Sequence, residues 1–279
     1  MAPNEASDKH DRIDKKVIDK KRIDKKELID KKAAGERITM LTAYDAAFAS
    51  LLSLVDGLDM ILVGDSLGMV IQGHDTTRAV TMEAMVYHTE IVARSSHGLA
   101  VIGDMPYHSF DTADGALTNA HRLMKAGALA VKIEGNKPEV VSRLVQAGIP
   151  VMGHLGLLPQ TAENFKVQGK DTEAADTIFK DSLELEAQGA FAVVLECVPR
   201  SLAQKITRAL KIPTIGIGAG PDCDGQVLVL HDMLGLTQGY SPKFVKRFAQ
   251  LDSAVVEAVQ SYSNEVKSGS FPTDPYSYH

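Results

Sequence analysis

The sequence predicts a parallel (β/α)8 barrel preceded by a charged, low-complexity N-terminal extension. Three observations carry that prediction. From Ile38 onward, short apolar, β-branched segments alternate with helical stretches; eight such segments occur; and Ala126-Gly127, Ala147-Gly148 and Gln188-Gly189 stand before three of them, where a helix stops and a strand begins. Strands alternating with helices build βαβ units and a parallel sheet, and eight strands close a barrel. The 279-residue length fits one such barrel, typically about 250 residues.

The extension, residues 1–32, comes first. Residues 1–37 hold 12 Lys+Arg against 9 Asp+Glu, a net of +3, which leaves −9 on the remaining residues of a chain whose total is −6. Ile-Asp-Lys-Lys recurs at Ile13, Ile18, Ile23 and Ile29. A period near five fits neither a helix face nor a strand face, and with few large apolar residues the segment reads as a solvated extension or loose helix. Interleaved aspartates cancel most of the field that an RNA- or membrane-binding arm would need. The barrel domain is expected over residues 33–279.

Its strands are expected near Ile38 (ITMLTAY), Asp59 (DMILVG), Ala100 (AVIGDMP), Ala130 (AVKIEG), Pro150 (PVMGHLG), Ala192 (AVVLECVP), Pro213 (PTIGIGAG) and Gly225 (GQVLVL). Helical patterns lie between them at Thr81–Ser95, Asp114–Ala126, Pro138–Ala147, Thr172–Gln188 and Ser201–Leu210. The last joint is the weak one. Only about a dozen residues separate strand seven from strand eight, too few for a full crossover helix, so a doubly wound open sheet is the alternative.

Composition excludes several classes. At 44% hydrophobic and 24% charged, with no apolar run of membrane-spanning length, the chain reads as soluble. A net charge of −6 argues against a dedicated nucleic-acid binder. Cys197 and Cys223 match no disulfide, zinc or redox pattern, which points to a reducing compartment. Neither a secretory signal nor a mitochondrial presequence is recognisable, so a cytoplasmic location is expected. Gly216-Ile217-Gly218-Ala219-Gly220 sits on strand seven rather than at a first βα turn, and supports no nucleotide site.

Function in such a barrel belongs at the C-terminal strand ends. Asp65-Ser66 ends the second expected strand, Asp104 the third, Lys132 and Glu134 the fourth, His154 the fifth and Glu196 the sixth. The side-chain period of two puts Lys132 and Glu134 on one face of their strand, opposite Val131 and Ile133. One Asp at a strand end is an ordinary cap or turn former. Four acids at one mouth repel each other unless something positive compensates, and one lysine is not enough. All-oxygen ligands suit Mg²⁺ or a similar hard cation. His154 is expected to hydrogen-bond substrate or a neighbour; Tyr, Met and the other histidines are assigned to packing or surface.

Several strings together resemble the ketopantoate hydroxymethyltransferase family: ITMLTAY from Ile38 with Asp45, VGDSLGM from Val63, QGHD from Gln72, VKIEG from Val131, GHLGLLPQ from Gly153, KVQG from Lys166, LECVP from Leu195, IGIGAG from Ile215 and DGQVLVLHDMLGL from Asp224. The match runs in order from about residue 33 to the C-terminus. The resemblance implies a barrel of the phosphoenolpyruvate/pyruvate type that transfers a hydroxymethyl group from 5,10-methylenetetrahydrofolate to 3-methyl-2-oxobutanoate, giving 2-dehydropantoate for pantothenate synthesis. It implies one Mg²⁺ per subunit arranged by Asp65, Asp104 and Glu134, a keto acid surrounded by Asp65, Ser66, Asp104 and Lys132, and Glu196 as proton acceptor. It also implies a homo-oligomer, a decamer of stacked pentamers, with the keto acid and folate as partners and neither nucleic acid nor membrane.

The chain departs from the family pattern in three places. Between Pro159 and Lys166 it reads Gln-Thr-Ala-Glu-Asn-Phe, shorter than the family's Gly-Gly-aromatic stretch, and Leu158 replaces a common threonine. Phe271–Tyr278 lacks the family's Glu-His pair, and the Ile-Asp-Lys-Lys leader has no counterpart. Two other readings share parts of the pattern: an isocitrate-lyase-like or phosphoenolpyruvate-mutase-like Mg²⁺ barrel, and a non-catalytic keto-acid-binding relative.

Overall fold

The computed structural model describes residues 24–162, 164–239 and 241–279. Its first helix, α1 (Lys25–Ala34), straddles the boundary expected at residue 32. Asp24 caps it by accepting from the Lys26 and Glu27 N–H groups, while the Glu27 carboxylate returns to the Asp24 N–H; Gly35, at φ 73°, ends it. Its anchors are few but specific. Leu28 is buried in the main apolar cluster, Lys31 pairs with Asp59 at 2.7 Å, and Lys32 Nζ donates to the Thr207 and Ile212 carbonyls and pairs with Asp224 at 2.9 Å. The end of the expected extension is therefore an ordered helix. Buried Leu28 and two lysines help to hold it, which a hydrophobic period cannot reveal. The repeats at Ile13 and Ile18, and Ile23 itself, lie outside the described residues.

Eight strands follow: β1 (Ile38–Thr42), β2 (Met60–Val63), β3 (Ala100–Asp104), β4 (Ala130–Glu134), β5 (Val151–Gly156), β6 (Ala192–Glu196), β7 (Thr214–Ile217) and β8 (Gly225–Leu228). All pair in parallel in sequence order, and β8 returns to β1 through Ile38↔Gly225 to Leu41↔Leu228, so the barrel is closed and the open sheet is excluded. The outer elements are α2 (Ala46–Ser53), the short α3 (Leu67–Val70), α4 (Met82–Ser95), α5 (Ala113–Lys125), α6 (Pro138–Gln146), α7 (Thr172–Ala187) and α8 (Arg200–Ala209). No helix joins β7 to β8. Residues 218–224 alone make the return, and at roughly 3.3 Å per residue they have reach to spare across strands of four residues.

The interior alternates as a barrel requires. Met40, Met60, Leu62, Ala100, Ile102, Ala130, Met152, Ala192, Val194, Ile215 and Val227 form one buried cluster with Leu28. The same parity, continued two residues along each strand, places the charges. Ile102 leads to Asp104, Ala130 to Lys132 and then Glu134, Met152 to His154, and Val194 to Glu196. Val131 and Ile133 are fully buried on the opposite face of β4, as the sequence pattern expects.

The chain divides at Val229 into two compact units. The second holds α9 (Leu230–Met233), α10 (Leu251–Ser268), closed by Gly269 at φ 72°, and a 3-10 turn at Asp274–Tyr276. The stretch expected as one barrel domain, residues 33–279, thus carries a separate helical unit after β8. No helix among the described residues is long and apolar enough to cross a membrane.

Candidate active site

Strand register sets the heights of the charged side chains. Asp104 on β3 lies opposite Lys132 on β4, and Glu134 lies opposite His154 on β5. One step further round, Gly156 pairs with Glu196 on β6. Asp65 follows β2 by two residues, and its N–H donates to Asp104 Oδ2 at 3.2 Å. Asp65, Asp104, Lys132, Glu134 and His154 are each at most 5% exposed, and Glu196 is intermediate. The structure therefore brings together every charged residue that the sequence nominates.

Contacts divide this cluster into two parts. Lys132 Nζ lies 2.9 Å from Asp104 Oδ1 and 3.3 Å from His154 Nδ1. The His154 ring stands between two carboxylates, with Nδ1 3.4 Å from Glu134 Oε1 and Nε2 3.1 Å from Glu196 Oε2. Asp104 Oδ1 and His154 Nε2 lack hydrogen-bond alignment in these close pairs, so charge attraction carries them. Asp65, Asp104 and Glu134 lie on one side of the ring, and Glu196 on the other.

Titration behaviour follows from crowding. Burial, reinforced by the Asp104 charge, pushes the Asp65 carboxyl well above the usual range. Burial also raises Asp104, against the opposing pull of Lys132. At Glu134 burial works upward but loses to His154 and Lys132, so its carboxyl is lowered. Burial disfavours charge on Lys132, yet Asp104, Glu134 and Asp65 together raise it. Burial and the Lys132 charge work against a proton on His154, and contacts with Glu134 and Glu196 overcome them, taking it to about 9. In the cation-free protein, this keeps the ring on the protonated side at neutral pH.

Two neighbours escape a reading of the sequence. Tyr44, fully buried after β1, places its hydroxyl 2.8 Å from Ser66 Oγ, and His88 Nδ1 lies 2.6 Å from the Tyr44 carbonyl oxygen. Tyr44, assigned from sequence to packing, thus also holds the proposed substrate-binding serine. The larger omission is Gln160, in the loop that follows β5. Its Nε2 donates to Asp65 Oδ2 at 2.8 Å and to the Met105 carbonyl at 3.0 Å, and its N–H donates to Glu134 Oε2 at 3.1 Å. GLLPQ contains this residue, but no period or spacing predicts that the loop folds back onto the acids.

The donor set suits a hard cation, because three carboxylates converge and two of them are pushed toward protonation, Asp65 by burial and the Asp104 charge and Asp104 by burial and the Glu134 charge. Among the described residues no three His, Cys, Asp or Glu side chains stand in a ready-made metal-binding arrangement. The acid oxygens are engaged by Gln160, Lys132 and His154 instead.

Comparison with known proteins bears on this geometry. Residues 22–274 match the family model described as ketopantoate hydroxymethyltransferase. A 3-methyl-2-oxobutanoate hydroxymethyltransferase from Marinobacter nauticus is 50% identical over 256 residues, covering 90% of this chain and 97% of that protein. One of the same name from Syntrophus aciditrophicus is 52% identical over 254 residues, covering 88% and 93%. Among solved structures, phosphonopyruvate hydrolase superposes with a TM-score of 0.62 at 12% identity, covering 92% of each chain. A 2,3-dimethylmalate lyase, described as a PEP mutase/isocitrate lyase superfamily member, gives 0.58 at 15% identity, covering 91% of each. These two likenesses show the fold.

Proposed function

The chain belongs to the ketopantoate hydroxymethyltransferase family, whose members are transferases, and from that premise we propose that its barrel mouth transfers a hydroxymethyl group from 5,10-methylenetetrahydrofolate to 3-methyl-2-oxobutanoate. The observation that carries the reading is the division of the carboxylates by His154. Three acids crowd one side of the ring with Lys132, while Glu196 stands apart on the other.

On this reading the keto acid lies among Asp65, Ser66, Asp104 and Lys132. Lys132 offers its ammonium to the substrate's carboxylate or keto oxygen, in a water-poor site where charge acts strongly. Tyr44 fixes the Ser66 hydroxyl that meets the same ligand. Glu196 takes the proton from C3. Its Oε2 faces His154 Nε2, which leaves Oε1 as the acceptor. The carbon freed of its proton then forms a bond to the methylene carbon of the folate as one of that carbon's two C–N bonds breaks. Water displaces the second nitrogen and supplies the hydroxyl oxygen, and the protons from C3 and from water end on the two folate nitrogens.

Asp65, Asp104 and Glu134 would hold Mg²⁺ here. The structural neighbour phosphonopyruvate hydrolase is described in complex with oxalate, a dianion of two joined carboxylates, and Mg²⁺. When bound, such a cation supplies a fixed double charge against which negative charge on the keto oxygen can develop, worth several kcal/mol.

The test needs no folate. Incubation with 3-methyl-2-oxobutanoate in D₂O, with and without Mg²⁺, should show loss of the C3 proton signal by NMR. The exchange should require the metal and fall by at least about 100-fold in Glu196→Gln, the usual worth of a general base. A C3 proton that stays in place, even after methylenetetrahydrofolate is added, would overturn the reading.

A further inference from the structure

We propose that Gln160 is a positioning residue for the cation site, with Arg78 acting through it. The inference rests on the reading that Asp65 and Glu134 hold a divalent cation. It starts from the fact that these acids belong to different parts of the barrel. Asp65 follows β2 and Glu134 ends β4, and nothing in either strand fixes the rotamer of the other. Gln160 spans them: its side-chain amide takes Asp65 Oδ2 and its backbone N–H takes Glu134 Oε2. At 1% exposure it does so out of reach of solvent. The third contact, Nε2 to the Met105 carbonyl beyond β3, locks the amide's orientation. One residue thus aligns oxygens from two strands against a fixed point on a third.

The loop carrying Gln160 is itself held from the β2 side. Arg78 Nε donates to the Gln160 carbonyl and its Nη2 to the Ala162 carbonyl, both at 3.0 Å. Arg78 touches none of the acids in these contacts; it fixes the backbone from which Gln160 reaches them. This is the outer layer of a metal site, in which partners hydrogen-bonded to ligating carboxylates set orientation, and their removal typically costs 10–100-fold in affinity. Among the described residues the buried Gln160 Oε1 atom has no hydrogen-bond partner, an energetic cost that apolar packing alone would not incur.

The measurement is Mn²⁺ affinity by electron paramagnetic resonance of free Mn²⁺, on the full chain without substrate. Gln160→Met keeps the side chain's bulk and the backbone N–H but removes the amide donors. It should weaken Mn²⁺ binding 10–100-fold while the cation-free protein keeps a wild-type circular dichroism spectrum. Arg78→Gln should weaken binding less, and the double variant should fall short of the two effects combined, because Gln160→Met has already removed the side-chain contacts and leaves only the backbone N–H to Glu134 for Arg78 to steady. Unchanged or tighter binding in Gln160→Met would overturn the proposal, as would full additivity of the two substitutions. Wild-type protein that binds no Mn²⁺ would overturn the cation reading itself, and this proposal with it.

Discussion

Raising the pH should unlock the centre of the site, and His154 sets the size of the effect. Its imidazole is buried on β5 between Glu134 and Glu196. Burial and the Lys132 charge favour the neutral ring, but the two carboxylates prevail and move its pKa from 6.5 to about 9. The folded state therefore binds this proton more tightly than the unfolded chain. The associated stability is fully present below pH 6.5 and is lost as pH rises through about 9. A gap of 2.5 between those values, at roughly 1.4 kcal/mol per pH unit, gives about 3 kcal/mol. Against a total stability of about 5–15 kcal/mol, such a loss is readily measured.

The assay is urea unfolding of cation-free protein at pH 6, 7.5 and 9.5, for wild type and for His154→Gln. Glutamine keeps a donor but cannot carry the charge. Between pH 6 and 9.5 the wild type should lose about 3 kcal/mol more than the variant. Subtracting the two curves isolates His154 from the other titrating groups. Equal pH slopes would refute the argument, because they would mean that the ring is already neutral between its two carboxylates.

Two further substitutions probe the frame around that ring. Lys132→Met strips Asp104 of its counter-charge and should destabilise the cation-free protein by about 3–5 kcal/mol at neutral pH. Asp65 and Asp104 are raised, so the folded state holds their protons more tightly and its stability grows as pH falls toward 3.8; the Lys132→Met deficit measured by urea unfolding should shrink over that range. Gly156→Ala places a methyl group against the Glu196 carbonyl oxygen and 2.7 Å from Val198 Cγ1, at a φ of +98°. A loss of about 3 kcal/mol or more is expected in thermal unfolding, together with displacement of Glu196 seen as slower C3 exchange.

The sequence was informative wherever a period was at work. Each strand starts within a residue or so of its expected position, because most are short apolar runs buried on both faces, glycine turns mark three of the entries, and within each run side chains alternate between the interior and the outer helices. The facing of Lys132 and Glu134 was legible for the same reason. What stayed hidden has no period. α2 is a run of eight small and apolar residues, AAFASLLS, too short and too uniformly apolar to show a polar face. α1 is fixed by a capping box and by lysines reaching backbone carbonyls. Gln160 acts through a loop whose path depends on Arg78, 82 residues away in sequence, and on carboxylates from two strands. Loop-mediated contacts of this kind arise from tertiary closure, so a local reading of the loop leaves their direction open.

The charges at the mouth supply the argument that joins fold to chemistry. Fully ionised, Asp65, Asp104, Glu134 and Glu196 bring −4, and Lys132 with the protonated His154 returns +2. The remainder is −2 in a region nearly closed to water; burial, with the neighbouring carboxylate charges added, displaces Asp65 and Asp104 upward. Without a cation the site can ease that charge only by holding a proton on Asp65 and by collecting N–H donors, which is what the two Gln160 contacts supply. On the proposed reading, one divalent cation would cancel that remainder. The barrel's alternation thus does more than fill its interior. It delivers an excess of two negative charges to one height, beside a separate carboxylate facing His154, and on the proposed reading that excess is what a hard divalent cation would neutralise.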